Sequence, residues 1–204
     1  MIFSILSILI GYLLGSFPSA YIIARVSKGI DIREVDNGNV GTASVLRTVG
    51  PWQGALVFIL DAGKGYVTLL IANLLGISQI WIFGAGFAAV LGHCFPVYLR
   101  FHGGQGVATV IGIFLFLAPI ATLCTLGVMF FVLLFQYRIV LQRIFLSILI
   151  SCPTLPLFIW LWYQSLDLVI YAIIIVILIV IKNIARVINQ HALMSGQRPG
   201  TKAM

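Results

Sequence analysis

Two polar stretches in this chain carry residue types that bind phosphate. The first is Asp31 to Arg47, DIREVDNGNVGTASVLR, which holds three of the five acidic residues, two arginines, two asparagines and two glycines. Asn37-Gly38-Asn39-Val40-Gly41 suits a tight turn with several residues at positive φ, so that successive backbone N–H groups converge on an anion. Arg47 then follows as a planar clamp for phosphate oxygens. The plainer reading is an ordinary connecting loop. The second stretch is Phe101-His102-Gly103-Gly104-Gln105-Gly106-Val107-Ala108-Thr109. Its three glycines stand immediately before an apolar run, which predicts flexible amides opening onto a positive helix N-terminus. It lacks the Gly-Lys-Ser/Thr ending of a P-loop, and its plainer reading is a short hinge.

Charge also appears where it is costly. Asp61 and Lys64 lie inside an apolar segment, three apart and therefore on one helical face. Two readings stand: a structural ion pair holding helices or loops in place, or a direct substrate role. His93, in Gly92-His93-Cys94-Phe95-Pro96, reads more readily as a structural hydrogen-bonding group than as a catalyst. Cys94, Cys124 and Cys152 show neither metal spacing nor a disulfide framework.

The elements that position these groups must be membrane helices. The chain has 204 residues, 61% hydrophobic and 8% charged, and several runs reach the roughly 20 apolar residues that span a bilayer. The first run has no basic flank and carries Phe17-Pro18 where a signal-peptide cleavage site would need small residues, so it reads as a span. The net charge of +7 is scattered, which argues against nucleic acid. Its placement is informative: Arg25, Lys28, Arg33 and Arg47, then Arg100, then Arg138 and Arg143, then Lys182, Arg186, Arg198 and Lys202. The connections near residues 76–79, 119 and 164–167 hold no basic residue, so the four clusters lie on the cytoplasmic face.

In chain order, segment one covers residues 2–24, with Gly11 and Gly15 spaced for close helix approach and Pro18 as a kink. Segment two covers 52–75. Segment three, 79–99, is rich in glycine and alanine. The run 107–136 is too long for one span and predicts two segments turning at Ala118-Pro119. Segment six covers 144–162, with Trp160, Trp162 and Tyr163 as an interfacial belt, and segment seven covers 166–181. The expectation is an all-α integral membrane protein of about seven transmembrane helices, N-terminus outside and C-terminus cytoplasmic. Residues 1–204 form a single polytopic domain, with cytoplasmic motif loops 25–51 and 99–107 and a polar tail 182–204.

The polar pieces, taken in order, resemble the bacterial acyl-phosphate-dependent glycerol-3-phosphate acyltransferases. The pieces are Gly15-Ser16-Phe17-Pro18-Ser19-Ala20, Asp31-Ile32-Arg33, Gly38-Asn39-x-Gly41 with Val45-Leu46-Arg47, and Leu60-Asp61-x-x-Lys64-Gly65. Gly92-His93-x-x-Pro96 and Gly103-Gly104-x-Gly106-Val107-Ala108-Thr109 complete the set. The chain also departs from the family pattern. Asp36 and Asn37 stand for a leading Gly-Ser, Ser44 for an asparagine, and Gln105 for the lysine of Gly-Gly-Lys-Gly. In the tail, one register places Asn189 on the family asparagine and Arg186 on its histidine. Another places Asn183 and Arg186 on the family's Asn and Arg.

What the resemblance implies is an enzyme of phospholipid biosynthesis in the bacterial cytoplasmic membrane. It transfers an acyl group from acyl phosphate to glycerol 3-phosphate, giving lysophosphatidic acid, as a monomer among membrane lipids, with no metal and no cofactor. Asn39, Arg47 and Asn189 are then the catalytic candidates. Asn37, Gly38, Gly41, Ser44, Gly103, Gly104, Gln105, Gly106 and Arg186 are the substrate-binding candidates, and Asp61, Lys64 and His93 the structural ones. The alternative is a diverged paralogue that binds lipid or phosphate without efficient catalysis.

Overall fold

The computed structural model describes residues 1–36, 38–135, 147–148 and 150–194, with side chains described as far as Lys182 and again at Ile184. Helices are the only regular elements among the described residues: α1 (Ile2–Ser16), α2 (Ser19–Lys28), α3 (Thr42–Thr48), α4 (Pro51–Leu74) and α5 (Gln79–Cys94). A 3₁₀ turn (Val97–Leu99) precedes α6 (Val107–Leu117), α7 (Pro119–Phe135), α8 (Thr154–Tyr163) and α9 (Leu166–Met194). Among the described residues, three stretches are long and apolar enough to cross a membrane: Ile2–Lys28, Pro51–Leu74 and Gln79–Leu99. Ile5, Leu9, Ile59, Phe130, Phe135, Trp160 and Ile177 lie exposed on the outer faces of these helices, as suits a surface solvated by lipid.

The first segment is broken, and the break matters for the site. Pro18 has no N–H to continue the helical ladder, so α1 stops at Ser16 and α2 restarts at Ser19. The carbonyl of Phe17 is thereby turned toward other donors: Ser19 N–H at 3.0 Å and Lys64 Nζ at 3.3 Å. The run 107–136 divides as expected, α6 ending at Leu117 and α7 opening on Pro119. Proline is tolerated in the first turn, where its missing donor has no intrahelical partner to lose.

Helix α9 departs from the expectation that regular structure ends near residue 181; it continues to Met194. The polar residues after Ile181 mark a change of face or of medium and carry no stop signal, because glycine and proline come only at Gly196 and Pro199.

Two seams of backbone contact hold the bundle. A Cβ at Gly11 would meet the carbonyl oxygen of Ala85 at 2.5 Å, and one at Gly15 would run into the carbonyl oxygen of Ala89. One at Gly92 would strike the carbonyl oxygen of Tyr12. The Gly11/Gly15 spacing is thus the α1–α5 contact, as the sequence predicts. The second seam joins α4 and α6, where Gly65 faces the carbonyl of Thr109 and Gly112 that of Ala62. A core of Leu69, Phe83, Val90, Ile113, Phe114, Tyr171 and Ile175 fills the centre. A smaller cluster, with Ala20, Ile32, Val40, Val45, Val57 and Leu99, lies under the 31–47 loop. Ile32 and Val40 are the apolar pins that fix this polar run on the bundle.

Candidate active site

Glycine ends the extended entry into α3: Gly41 is the residue before Thr42, and the helix presents Thr42, Ala43 and Leu46 to a cavity of about 250 Å³. Gln105, Gly106, Val107 and Ala108 bring the N-terminal turn of α6 to the same space, and Asn39, Asp61 and His93 complete its polar end. The opposite walls are apolar, formed by Phe58, Ile111, Met129, Leu133 and Ile148. Asn39 is 4% exposed. Its Oδ1, Asp61 Oδ2 and His93 Nδ1 are buried without a hydrogen-bond partner. Buried polar groups are normally satisfied, and these three, without a partner among the described residues, belong to residues that line one cavity.

Beneath this wall lies the charge cluster. Asp61 Oδ1 accepts from Ser19 Oγ at 2.5 Å and from Lys64 Nζ at 3.0 Å, with His93 Nδ1 at 3.7 Å. Lys64 also donates to the Phe17 carbonyl freed by Pro18. Asp61 and Lys64 thus form an intrahelical ion pair, and Asp61 lines the cavity as well. Ser19 is the member that sequence reasoning missed as a site residue. Its signal was present in Gly15-Ser16-Phe17-Pro18-Ser19-Ala20, where a serine follows the helix-breaking proline.

The glycines of the second stretch do different work from that expected. Of Gly103, Gly104 and Gly106, only Gly106 has a positive φ, at 83°. A Cβ at Gly103 would collide with the carbonyl of His93 and with Pro96 Cδ. One at Gly104 would collide with His93 Nε2 and lie 2.6 Å from the Val40 carbonyl. Gly104 N–H donates to the His93 carbonyl at 3.1 Å. This pair is close packing of two loops against the end of α5, in place of a flexible cradle. The wall is still an anion-compatible one, because Gln105 and Gly106 open onto the start of α6.

Arg47 is the second departure. It follows Leu46 on α3 but does not line the cavity; its guanidinium pairs with the carboxylate of Asp36. Asp36 sits at φ 54°, a left-handed conformation that explains why glycine suits this position in the family pattern. Nearby, Arg33 donates to Asp31 at 2.6 Å, and this hydrogen bond holds the Asp31 carboxyl down at about 2, so it stays ionised throughout the neutral range. Gly38 takes the positive φ expected of the turn, 68°. Ser44 is fully buried and does not reach the cavity. Asn37 and the side chains of Arg186 and Asn189 lie outside the described residues. Lys182, on the same helix as those two, donates to the Cys94 carbonyl at 3.1 Å and stacks over the Phe95 ring. That contact ties α9 to the end of α5.

An all-helical membrane protein with motif loops gathered on an amphipathic cavity defines a class that acts on one polar and one lipidic group. The comparisons narrow it. The model of the family described as Glycerol-3-phosphate acyltransferase matches residues 5–190. The chain is 37% identical over 201 residues to the glycerol-3-phosphate acyltransferase of Prochlorococcus marinus strain NATL2A, covering 95% of this chain and 99% of that one. It is 45% identical over 123 residues to the corresponding protein of Geobacter metallireducens strain GS-15, covering 60% and 63%. The crystal structure of PlsY (YgiH), an integral membrane glycerol 3-phosphate acyltransferase, in its glycerol 3-phosphate form superposes with a TM-score of 0.81 at 33% identity, over 97% of this chain and 96% of that one. The lysophosphatidic acid form gives 0.77 at 31%, over 96% and 93%. The chain belongs to the glycerol-3-phosphate acyltransferase family.

Proposed function

We propose that the protein transfers an acyl group from acyl phosphate to glycerol 3-phosphate, giving lysophosphatidic acid and inorganic phosphate. The observation that carries this reading is the cavity itself. Its polar end offers unpartnered buried acceptors to a polyol, and its other walls offer methylene-sized apolar surface to an acyl chain. An acceptor hydroxyl attacks the donor carbonyl, the carbonyl carbon–phosphate oxygen bond breaks, and the leaving phosphate takes the hydroxyl proton. No enzyme nucleophile enters this balance, so the residues orient and screen two anions. Asn39 holds an acceptor hydroxyl, Arg47 takes the acceptor phosphate once released from Asp36, and the α6 N-terminus with Gln105 and Gly106 faces the donor phosphate. Arg186 and Asn189 contribute from α9.

The test is turnover by purified full-length protein in lipid, supplied with both substrates and assayed for lysophosphatidic acid. Asn39→Ala is expected to lower kcat/KM by roughly one to two powers of ten, the effect of one lost hydrogen bond to a charged or reacting group. Product formed at the wild-type rate by Asn39→Ala removes this wall from the site. A second reading, a lipid- or phosphate-binding paralogue without efficient catalysis, is favoured by one fact: among the described residues, no lysine or arginine lines the cavity. Tight substrate binding with no product at all would decide for it.

We further propose a single polytopic domain acting as a monomer in the bacterial cytoplasmic membrane, with about seven spans, the N-terminus outside, and loops 25–51 and 99–107 and tail 182–204 inside. The convergence of loops 31–47 and 103–106 on one cavity supports a shared face for them. A cysteine probe at Ser78 or Gln164 should be labelled from outside, and one at Gly104 should not. Outside labelling at Gly104 overturns the arrangement.

A further inference from the structure

We infer that Asp36 is a tethered competitor for Arg47 and sets how readily the site accepts a phosphate-bearing acceptor; this rests on the reading above, in which Arg47 holds that phosphate. Helix α3 turns Thr42, Ala43 and Leu46 to the cavity. Arg47 comes one residue later, about 100° round the helix, and is held there by the Asp36 carboxylate. The pair lies at the protein surface, both residues being exposed as a whole, with side-chain exposures of 28% for Arg47 and 15% for Asp36. Asp36 reaches it from a left-handed backbone, φ 54°, which aspartate, asparagine and glycine tolerate better than other residues.

The electrostatics give the contact a direction. No described lysine or arginine lines the cavity, and Lys64, beneath its polar wall, is already taken by Asp61 and the Phe17 carbonyl. A phosphate that takes the full guanidinium fork of Arg47 displaces Asp36 from its Nη. A phosphate monoester carries about −1.5 to −2 at neutral pH and presents several oxygens to the guanidinium fork, whereas Asp36 is a single carboxylate hydrogen-bonded through one Nη. A dianionic acceptor can win this exchange, and a singly charged polyol gains little from it. Asp36 is a positioning residue that makes the acceptor site selective for the dianion, at the expense of affinity.

The experiment is steady-state kinetics on the purified full-length protein, with glycerol 3-phosphate varied at saturating acyl phosphate. Asp36→Asn and Asp36→Gly both keep the left-handed backbone. Each is expected to lower KM for glycerol 3-phosphate about two- to fivefold, the range for an exposed ion pair, with kcat moving less than KM. Arg47→Ala should raise KM about tenfold or more, and adding Asp36→Asn to Arg47→Ala should then change nothing. A merely structural role for Asp36 gives no fall in KM. If Arg47→Ala raises KM while both Asp36 variants leave it unchanged or raise it, the competitor role is overturned and the acceptor reading stands. If Arg47→Ala leaves KM unchanged, Arg47 is not an acceptor ligand and both fall together.

Discussion

Asp61→Asn is expected to destabilise the protein by about 3–5 kcal/mol, the effect of leaving one member of a buried ion pair without its partner. Lys64 has 7% side-chain exposure and Asp61 1%, so water cannot replace the lost carboxylate. The Ser19 hydroxyl can still donate to the asparagine oxygen, and the Phe17 carbonyl still faces Lys64 Nζ. What the substitution removes is the countercharge, and that isolates the ionic term. Replacing both residues by apolar ones of similar volume, Asp61→Leu with Lys64→Met, should recover much of the loss, because no charge is then left buried. Thermal unfolding of wild type, Asp61→Leu, Lys64→Met and the double variant in one detergent measures the coupling. Additive losses would show that the two side chains do not stabilise each other. A double variant that folds as well as wild type yet makes no product would assign the pair a second role at the cavity that Asp61 lines.

The division of the chain into helices was legible because its punctuation is strong. Pro18, Pro119 and the 107–136 length anomaly each mark a helix boundary, and the Gly11/Gly15 spacing marks a contact between helices. The extent of α9 was not legible in the same way. A switch from Ile and Val to Lys182 and later polar residues reads as an exit from hydrocarbon, and exit from hydrocarbon does not require the helix to end.

The site was legible in its residue types and only partly in its geometry. Asn39, Gly41, Gln105 and Gly106 fall on one cavity as the two polar stretches suggested. The sequence cannot report that Arg47 is claimed by Asp36, because that pair depends on the left-handed turn at Asp36, eleven residues away in the chain. Nor can it name the apolar wall. Phe58, Met129 and Ile148 are three among many apolar residues, and only the crossing of the helices selects them. Glycine pattern is equally ambiguous, since a Gly-Gly pair needed for backbone freedom and one needed for lack of a side chain look identical in sequence.

That ambiguity makes Gly104→Ala the sharpest test of the second stretch. Gly104 has no positive φ, so alanine brings no backbone strain there and any effect must come from its methyl group. That methyl would meet His93 Nε2 and the Val40 carbonyl, joining the end of α5 to the 31–47 loop at the point where Asn39 and Gln105 approach the cavity. Neither neighbour can give way freely: His93 is 6% exposed and Val40 is one of the pins of the loop. Overpacking of this kind costs about 1–3 kcal/mol in stability. The larger loss is expected in turnover, about a hundredfold, because a displacement of roughly 1 Å spoils the alignment of two bound reactants. Gly63→Ala is the matched control: it is helical, has nothing within 4 Å of its added methyl, and should be neutral or stabilising by up to about 1 kcal/mol. If Gly104→Ala unfolds earlier yet turns over like wild type, the His93–Gly104–Val40 contact supports the fold without shaping the site. If Gly104→Ala behaves like Gly63→Ala, the added methyl is accommodated and close packing at Gly104 does not shape the site.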